Sequence, residues 1–287
     1  MLLKAVVLFA LLAATTPLNP DVTRRSFVVS PFLIASSSSS SASTPLRVVT
    51  DPATYSALVY EPQLNDPRAN EPQANEPRAT ATLPLLVVLP GAGKNKGGIE
   101  QDMASMFGEQ SGLPASLLSA GKAPESLSRD FVVVQPYPAG LESFYEEPRG
   151  KLLSWLDWFC GDAGREAGAP RVDKARIVLF GFSDGATCAV ELATTGRFAS
   201  CVVVAPGLTG SLPPRALKLL KTQPFYFAHA VDDEVFPISG TDRLVDSLCA
   251  TGNSRITYSR LESGGHRGAA IAASSRPEIY EWLKTAI

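Results

Sequence analysis

The sequence predicts an α/β fold in which a mostly parallel sheet is covered by helices on both faces. Short apolar runs alternate along the chain with longer stretches that carry one apolar face, which is the pattern of parallel strands joined by crossover helices. A hydrophobic fraction of 45% with 19% charged residues over 287 residues is enough for one substantial core and a single domain. The predicted strands are 85–89, 131–135, 177–180, 201–205, 224–230 and 255–260.

Two predicted helices show the apolar face most clearly, one over residues 151–160 and one over residues 276–287. Their apolar side chains recur three and four positions apart, so they lie on one side of each helix. No insertion between the late strands is long enough to form a large cap domain, and we therefore expect an open pocket. The inward-facing residues are Leu152, Trp155, Leu156 and Phe159 in the first helix and Ile279, Trp282 and Leu283 in the second.

The most specific motif is Gly181-Phe182-Ser183-Asp184-Gly185, which directly follows the apolar run 177–180. A strand that ends in G-x-S-x-G and turns at once into a helix holds its serine on a sharp bend, with the hydroxyl exposed above the sheet. Residues 184–195 then carry small apolar side chains at helical spacing, and Gly196 suits the end of that helix. The pattern also arises by chance, so the alternative is a turn serine without chemistry. The strand–turn–helix context favours Ser183 as a nucleophile.

A serine nucleophile needs a base, and the chain has only two histidines, His229 and His266. His266 lies in the glycine-rich loop 263–268, which follows a predicted strand near the C-terminus. The order nucleophile, acid, histidine is the one found along sheets of this type, so the base should come last. We therefore predict His266 as the base, with a surface-loop histidine as the alternative. His229 lies inside a predicted strand and is interpreted as a structural residue that forms hydrogen bonds near the site.

The acid should follow a strand between the serine and His266, and the loop 231–237 is in that position. It holds three consecutive carboxylates, Asp232, Asp233 and Glu234. Only one is needed to fix the imidazole tautomer and to stabilise the imidazolium. The chemistry alone does not choose among the three.

Four segments together resemble the α/β-hydrolase superfamily, and the resemblance covers residues 83–287. The closest likeness is to the small esterase group of dienelactone hydrolases, carboxylesterases, acyl-protein thioesterases and feruloyl-esterase-like enzymes. Residues 229–237 resemble the family phrase H-G-x-x-D-x-x-V-P, which implies Asp233 as the acid, with Asp232 as the alternative. In the oxyanion loop, usually L-H-G-x-G, Pro90 replaces the histidine. The segments are 83–93, 172–186, 228–237 and 264–266.

The resemblance also implies where an oxyanion would be held. Two fixed backbone N–H groups stabilise the charge of a tetrahedral intermediate. The residue after the nucleophile, Asp184, supplies one of them. The loop after the early strand supplies the other from Ala92, with Gly91 as the alternative.

The implied function is hydrolysis of carboxylic esters through Ser183, His266 and Asp233 with an acyl-enzyme intermediate, without a cofactor or a metal ion. The substrate would be a small-molecule or lipid-like ester. An acyl-thioesterase or lipase-like hydrolase would use the same residues. A peptidase of the same superfamily is less favoured, because no propeller or cap domain precedes the catalytic part. A non-catalytic binding protein on this scaffold would typically lack one member of the triad.

Residues 1–44 are predicted to be a targeting segment, and residues 45–287 the hydrolase domain. A short basic start precedes the apolar run 5–14, which is typical of a signal peptide and too short to span a bilayer. Arg24 and Arg25 then precede a second apolar stretch and a run of serines, similar to a twin-arginine signal. The sequence favours an exported or organellar protein, in the secretory pathway or a plastid or thylakoid lumen. A disordered tail on a cytoplasmic enzyme is the alternative.

The proline-rich repeat at 61–82 has almost no apolar side chains, so we predict a disordered insertion between two early strands. With a formal net charge of −2 and no basic stripe, the chain is not expected to bind nucleic acid, and the mature form is not expected to span a membrane. The four cysteines form no metal motif and are interpreted as buried free thiols, with disulfides as the alternative. The sequence does not indicate an oligomeric state.

Overall fold

A computed structural model describes residues 24–27, 46–62, 82–92, 112–138, 144, 148–208 and 211–286. Within these ranges there are nine strands: β1 Arg24–Phe27, β2 Arg47–Thr50, β3 Ser56–Tyr60, β4 Leu83–Leu89, β5 Val132–Tyr137, β6 Val172–Phe182, β7 Ser200–Val204, β8 Phe225–Ala230 and β9 Ile256–Leu261. The same ranges hold the helices α1 Pro114–Ser119, α2 Glu125–Asp130, α3 Arg149–Phe159, α4 Asp162–Glu166, α5 Asp184–Ala193, α6 Pro214–Leu219, α7 Ser239–Ala250, α8 Gly265–Ser274 and α9 Pro277–Thr285.

The described strands form a single sheet of order β1-β9-β8-β7-β6-β4-β5-β3-β2. The pairs β2–β3 and β3–β5 are antiparallel, and the other neighbours are parallel. From β6 to β9, in residues 172–208 and 211–261, one helix connects each strand to the next, and no cap domain stands between them. The predicted α/β architecture without a large cap is therefore confirmed.

The sheet has a hydrophobic core on each face. Along β4, Leu85 and Leu89 face one core and Leu86 and Val88 face the other, as the alternation of a strand requires. Helices α3, α5 and α7 contribute to the first core, and α1, α2, α8 and α9 contribute to the second. Because both faces are covered, the central strands are apolar on both sides, which explains their continuous hydrophobic runs.

Strand β6 is longer than the predicted strand 177–180, because it begins at Val172 and ends at Phe182. Pro84 and Leu85 are adjacent on β4, but they pair with Asp173 and Ile177 of β6, so residues 174–176 bulge out of the ladder. The Asp173 carboxylate accepts hydrogen bonds from the Ala175 N–H (2.9 Å) and from Nε of Arg176 (2.7 Å), which closes the bulge. A bulge thus lies inside this strand.

Strand β1 comes from residues 1–44, the part of the chain predicted to be a targeting segment. Residues 24–27, which contain the arginine pair, form a parallel ladder with β9. Without this pairing β9 would be the edge of the sheet, with unpaired backbone N–H and C=O groups along one side. The assignment of residues 1–44 as a targeting segment stays a prediction. Most of that segment, and the repeat over residues 63–81, lie outside the described residues.

The four cysteines are free thiols, as interpreted from the sequence; Cys160, Cys188 and Cys201 are buried and Cys249 is half-buried. Burial raises the pKa of Cys160 to about 11 and that of Cys188 to about 12, so these thiols stay protonated at neutral pH.

Among the described residues, none of the helices is both long and apolar enough to cross a membrane.

Two glycines allow β6, α5 and the end of β4 to approach one another closely. A Cβ on Gly185 would overlap the carbonyl oxygen of Leu89 and lie 2.5 Å from that of Pro90. A Cβ on Gly181 would lie 2.6 Å from the Cα of Ala186 on the helix that follows. All of these neighbours are backbone atoms, which cannot rotate away. Glycine is therefore required at both positions by contact.

We predict that Gly185→Ala lowers the free energy of unfolding by about 3 kcal/mol or more, because overpacking against a rigid backbone forces strands apart. The matched control is Gly150→Ala in α3, where an added Cβ meets no atom within 4 Å. This control should be stabilised by roughly 0.5–1 kcal/mol through helix propensity. Urea unfolding of both variants tests the prediction, and a Gly185→Ala protein as stable as the wild type would contradict the contact argument.

Candidate active site

Three polar side chains meet at the carboxyl edge of the parallel strands. Ser183 directly follows β6, Asp233 lies in the loop after β8, and His266 lies in the first turn of α8 after β9. The carboxyl ends of parallel strands share one edge of a sheet, which is where open α/β folds place their ligand sites. The topology thus brings together residues that are up to 83 positions apart in the chain.

Ser183 has a backbone conformation that non-glycine residues seldom adopt, with φ of 55° and ψ of −122°. Such a conformation is unfavourable by about 1–3 kcal/mol and persists only where the surroundings enforce it. The Ser183 N–H donates to the carbonyl of Val204 on β7 (3.0 Å), while its own carbonyl begins the hydrogen bonding of α5. The sharp bend expected from the G-x-S-x-G motif is therefore present.

His266 links the serine to the carboxylate. Its Nε2 lies 2.9 Å from Oγ of Ser183, and its Nδ1 lies 2.8 Å from Oδ2 of Asp233. A carboxylate only accepts, so Nδ1 carries the imidazole proton and Nε2 has a free lone pair. The lone pair then accepts from the Ser183 hydroxyl, which is the arrangement in which a base can remove the hydroxyl proton.

Asp233 is fully enclosed, with 0% of its side chain exposed. Oδ1 accepts hydrogen bonds from the backbone N–H groups of Val235 and Phe236, both at 2.8 Å. Oδ2 is shared by two imidazoles, with Nδ1 of His266 at 2.8 Å and Nε2 of His229 at 3.0 Å. Burial alone would raise the pKa of Asp233, but the bonds from Phe236, His266 and Val235 outweigh it and hold this pKa below its usual range. The side chain is therefore an anion at neutral pH.

The two neighbouring carboxylates bind the backbone of the segment that carries His266. Asp232 accepts the N–H groups of Gly264 (3.1 Å) and Gly265 (2.8 Å), and Glu234 accepts the N–H of His266 (3.0 Å). These bonds satisfy donors at the start of α8 that have no partner within the helix. Asp232, the alternative acid, thus binds backbone N–H groups, whereas Asp233 is the carboxylate that binds the imidazole ring.

The start of α8 differs from the sequence expectation, which placed His266 in a loop. Gly264 (φ of 134°) and Gly265 (φ of 61°) are in conformations that favour glycine, and the helix begins at Gly265. The glycine-rich pattern therefore marks a tight entry into a helix. His266 is held by the first turn of α8 as well as by its hydrogen bonds.

Two aromatic rings that the sequence analysis did not single out enclose the imidazole. The ring of Phe182 lies 4.9 Å from that of His266, and the ring of Phe236 lies 5.3 Å away in an edge-on arrangement. Phe236 in turn covers Gly207, where an added Cβ would come within 2.8 Å of the ring. Both phenylalanines are half-buried, so they line the site with apolar surface. The only sign of them in the sequence was that they lie close along the chain to Ser183 and to Asp233.

Two of the residues predicted for an oxyanion site, Asp184 and Gly91, lie next to the serine. Asp184 is the first residue of α5, where backbone N–H groups have no partner within the helix. Gly91 lies against the nucleophile, since an added Cβ would be 2.9 Å from Cβ of Ser183. Ala92 follows Gly91 and is the last described residue before the range 93–111. The assignment of Ala92, Gly91 and Asp184 as oxyanion donors stays a prediction.

Comparisons with known proteins support the fold. No family model and no curated protein sequence matches the chain. Among solved structures, a thermostable esterase is 19% identical with a TM-score of 0.53 over 84% of this chain, which spans 62% of the esterase's length. An alpha/beta hydrolase enzyme from a Medee basin deep-sea metagenome library is 16% identical with a TM-score of 0.52, covering 84% of this chain and 97% of that one. Dipeptidyl peptidase 4 of Porphyromonas gingivalis is 13% identical with a TM-score of 0.51, over 85% of this chain and 35% of that chain. At these identities the likeness establishes the α/β-hydrolase fold.

We predict that a fluorophosphonate probe modifies Ser183 selectively, because a base is positioned to activate its hydroxyl. Ser183→Ala should abolish labelling. Asp233→Asn should slow labelling by on the order of 10²–10⁴, since the imidazole loses its orienting carboxylate. Asp232→Asn should slow it only about tenfold, because it weakens backbone bonds to α8 and leaves the ring bond intact.

The matched control is Glu262→Gln, which removes an exposed carboxylate near the same loop and should leave the labelling rate unchanged. Intact-mass spectrometry with peptide mapping gives both the rate and the modified residue. Labelling that survives Ser183→Ala, or a larger loss in Asp232→Asn than in Asp233→Asn, would contradict the assignment.

Proposed function

We propose that this chain is a serine hydrolase that cleaves carboxylic esters through an acyl-enzyme intermediate. The observation that carries the proposal is the continuous hydrogen-bonded line from Ser183 through His266 to the buried anion of Asp233. Each bond in that line has the direction that base-assisted attack requires. The line stands at the carboxyl edge of an α/β-hydrolase fold, where such folds place their ligand sites.

In the first half of the reaction, Oγ of Ser183 attacks the ester carbonyl while Nε2 of His266 takes the hydroxyl proton. The negative charge of Asp233 stabilises the imidazolium that forms. The carbonyl oxygen becomes an oxyanion, which the N–H groups of Asp184 and Ala92 would hold. The tetrahedral intermediate then collapses, the bond to the alcohol oxygen breaks, and His266 gives its proton to the departing alcohol.

In the second half, His266 is neutral again and activates a water molecule against the acyl-enzyme. The water oxygen bonds to the acyl carbon, its proton passes to Nε2, and the charge returns to the same oxyanion site. Collapse of this intermediate breaks the bond to Oγ and returns the proton to Ser183. The products are an acid and an alcohol, and no cofactor takes part in either half.

The apolar surface beside the base favours a small-molecule or lipid-like ester. Phe182 and Phe236 flank His266, which is the group that protonates the leaving oxygen, so substrate atoms near that oxygen would lie close to apolar surface. Thioesters and lipid esters react through the same steps and remain candidate substrates. Peptide bonds also react through these steps in peptidases, and that alternative is decided by the substrate comparison below.

The test is a panel of p-nitrophenyl esters of graded acyl length, an acyl thioester and a peptide p-nitroanilide. We expect the oxoesters to be hydrolysed, and Ser183→Ala to lower kcat/KM by on the order of 10³ or more. The matched control is Ser254→Ala, which removes an exposed serine far along the chain from the nucleophile and should keep full activity. Ester hydrolysis that survives Ser183→Ala, or turnover of the anilide alone, would contradict the proposed function.

A further inference from the structure

His229 is a second buried imidazole in contact with the candidate site, and the mechanism above does not use it. It lies on β8 with 0% of its side chain exposed. Its Nδ1 is 2.7 Å from Oγ1 of Thr241 on α7. Its Nε2 is 3.0 Å from the carbonyl oxygen of Phe236 and 3.0 Å from Oδ2 of Asp233. A buried ring with every polar atom engaged is held in one orientation.

The partners of His229 determine where its proton lies. The carbonyl of Phe236 and the carboxylate of Asp233 only accept, so Nε2 must carry the proton. Nδ1 then accepts from the hydroxyl of Thr241, which is also 0% exposed. Burial lowers the pKa of His229 and outweighs the opposing effect of Asp233, so the ring is neutral and carries this single proton.

His229 acts on the same oxygen as the catalytic histidine. Oδ2 of Asp233 accepts from Nε2 of His229 and from Nδ1 of His266, while Oδ1 is occupied by backbone N–H groups. Because the carboxylate has donors on every side, it cannot turn about its bond without losing one of them. His229 also binds the carbonyl of Phe236, so it fixes the far end of the loop that presents Asp233.

We propose that His229 is a positioning residue that holds Oδ2 of Asp233 in line with His266, and that Thr241 keeps the proton of His229 on Nε2. This inference rests on the proposed function, because it concerns the acid of that mechanism. The His229 bond has a second effect. The hydrogen bond from His229 withdraws negative charge from Oδ2 of Asp233. Loss of this bond therefore makes the carboxylate a stronger acceptor for the imidazolium of His266.

Among the residues that the structure describes, the charged or titratable groups that act on His229 are Asp233 and His266, and Asp232 interacts with Asp233 in addition. Asp233 is ionised across the neutral range, since its pKa lies below the usual value. The acid limb of the pH profile, which is the fall of kcat/KM toward acid pH, is therefore not a titration of Asp233. Without the His229 bond the imidazolium is favoured, so this acid limb should move to higher pH.

The experiment compares His229→Phe, which keeps a ring without donors, with His229→Gln, whose amide nitrogen can still donate to Asp233. Each variant is assayed for kcat, KM and the pH dependence of kcat/KM on the ester that the wild type hydrolyses fastest. We expect His229→Phe to lower kcat by about 10–100-fold, as for loss of a hydrogen bond to a charged group. KM should change by less than about twofold, and the acid limb should move to higher pH. His229→Gln should retain most of the wild-type rate and profile.

Thr241→Val and Thr241→Ser form an independent pair, which also serves if His229→Phe does not fold. Valine removes the hydroxyl that donates to Nδ1, so Thr241→Val should shift the acid limb in the same direction by a smaller amount. Thr241→Ser should restore the wild-type profile. The structural control is Tyr258→Phe, which removes a 2.9 Å hydrogen bond between β9 and Asp242 on α7. This control should lower the Tm without moving the acid limb.

Two results would overturn the proposal: a folded His229→Phe or Thr241→Val enzyme with the wild-type kcat and acid limb, or a His229→Gln enzyme as impaired as His229→Phe. The fluorophosphonate labelling rate of Ser183 is measured in parallel for every variant. If the wild type hydrolyses no ester, the proposed function fails, and the labelling rates still test whether His229 positions Asp233.

Discussion

The candidate site depends on the hydrogen bonds that the carboxylate of Asp233 accepts. This carboxylate is removed from water and instead accepts hydrogen bonds from two backbone N–H groups of its own loop and from two imidazoles. A buried charge is strongly unfavourable unless such partners replace its hydration. The loop after β8, the strand position of His229 and the first turn of α8 must therefore all be in place before this anion is stable. Folding of the sheet edge and assembly of the site are coupled through one side chain.

The backbone conformation of Ser183 depends on a different constraint, which is the close packing of backbone atoms around it. Ser183 keeps its unfavourable φ because its N–H is fixed to β7 and because Gly185 lets α5 rest directly on the end of β4. Gly91 brings the loop after β4 against the Cβ of Ser183. The nucleophile thus stands where three neighbouring strands end. The base, His266, is held by Asp233 and approaches the serine from the neighbouring part of the sheet. The distance between Oγ of Ser183 and Nε2 of His266 is 2.9 Å.

The fold and two of the three central side chains could be predicted from the sequence for identifiable reasons. The alternation of apolar runs with amphipathic stretches was sufficient for the α/β class, since both faces of the sheet are covered. Ser183 was found through its local motif, whose glycines are required by contact. His266 was found because the chain has only two histidines, and the other one, His229, was expected near the site. That their side chains lie together is observed, whereas their catalytic roles stay proposals.

Other features depend on contacts between distant segments and were not predictable from the residues themselves. Asp232, Asp233 and Glu234 all accept hydrogen bonds from the segment that carries His266, so their chemistry could not rank them, and only the resemblance of residues 229–237 to a family phrase implied Asp233. Thr241 comes from another helix and carries no motif. The pairing of β1 with β9 joins a low-complexity N-terminal region to the sheet edge through the backbone, which leaves little trace in side-chain pattern. In each case the deciding interaction is long-range.

The most direct measurement of the central claim is nitrogen-15 NMR on protein labelled at histidine, because the chain has only two imidazoles. Because one carboxylate binds both imidazole rings, the two histidines should be opposite tautomers, with the proton on Nδ1 of His266 and on Nε2 of His229. Both N–H protons should be protected from exchange, and both should shift in Asp233→Asn. A proton on Nδ1 of His229, or two imidazole resonances that are unchanged by Asp233→Asn, would contradict the account.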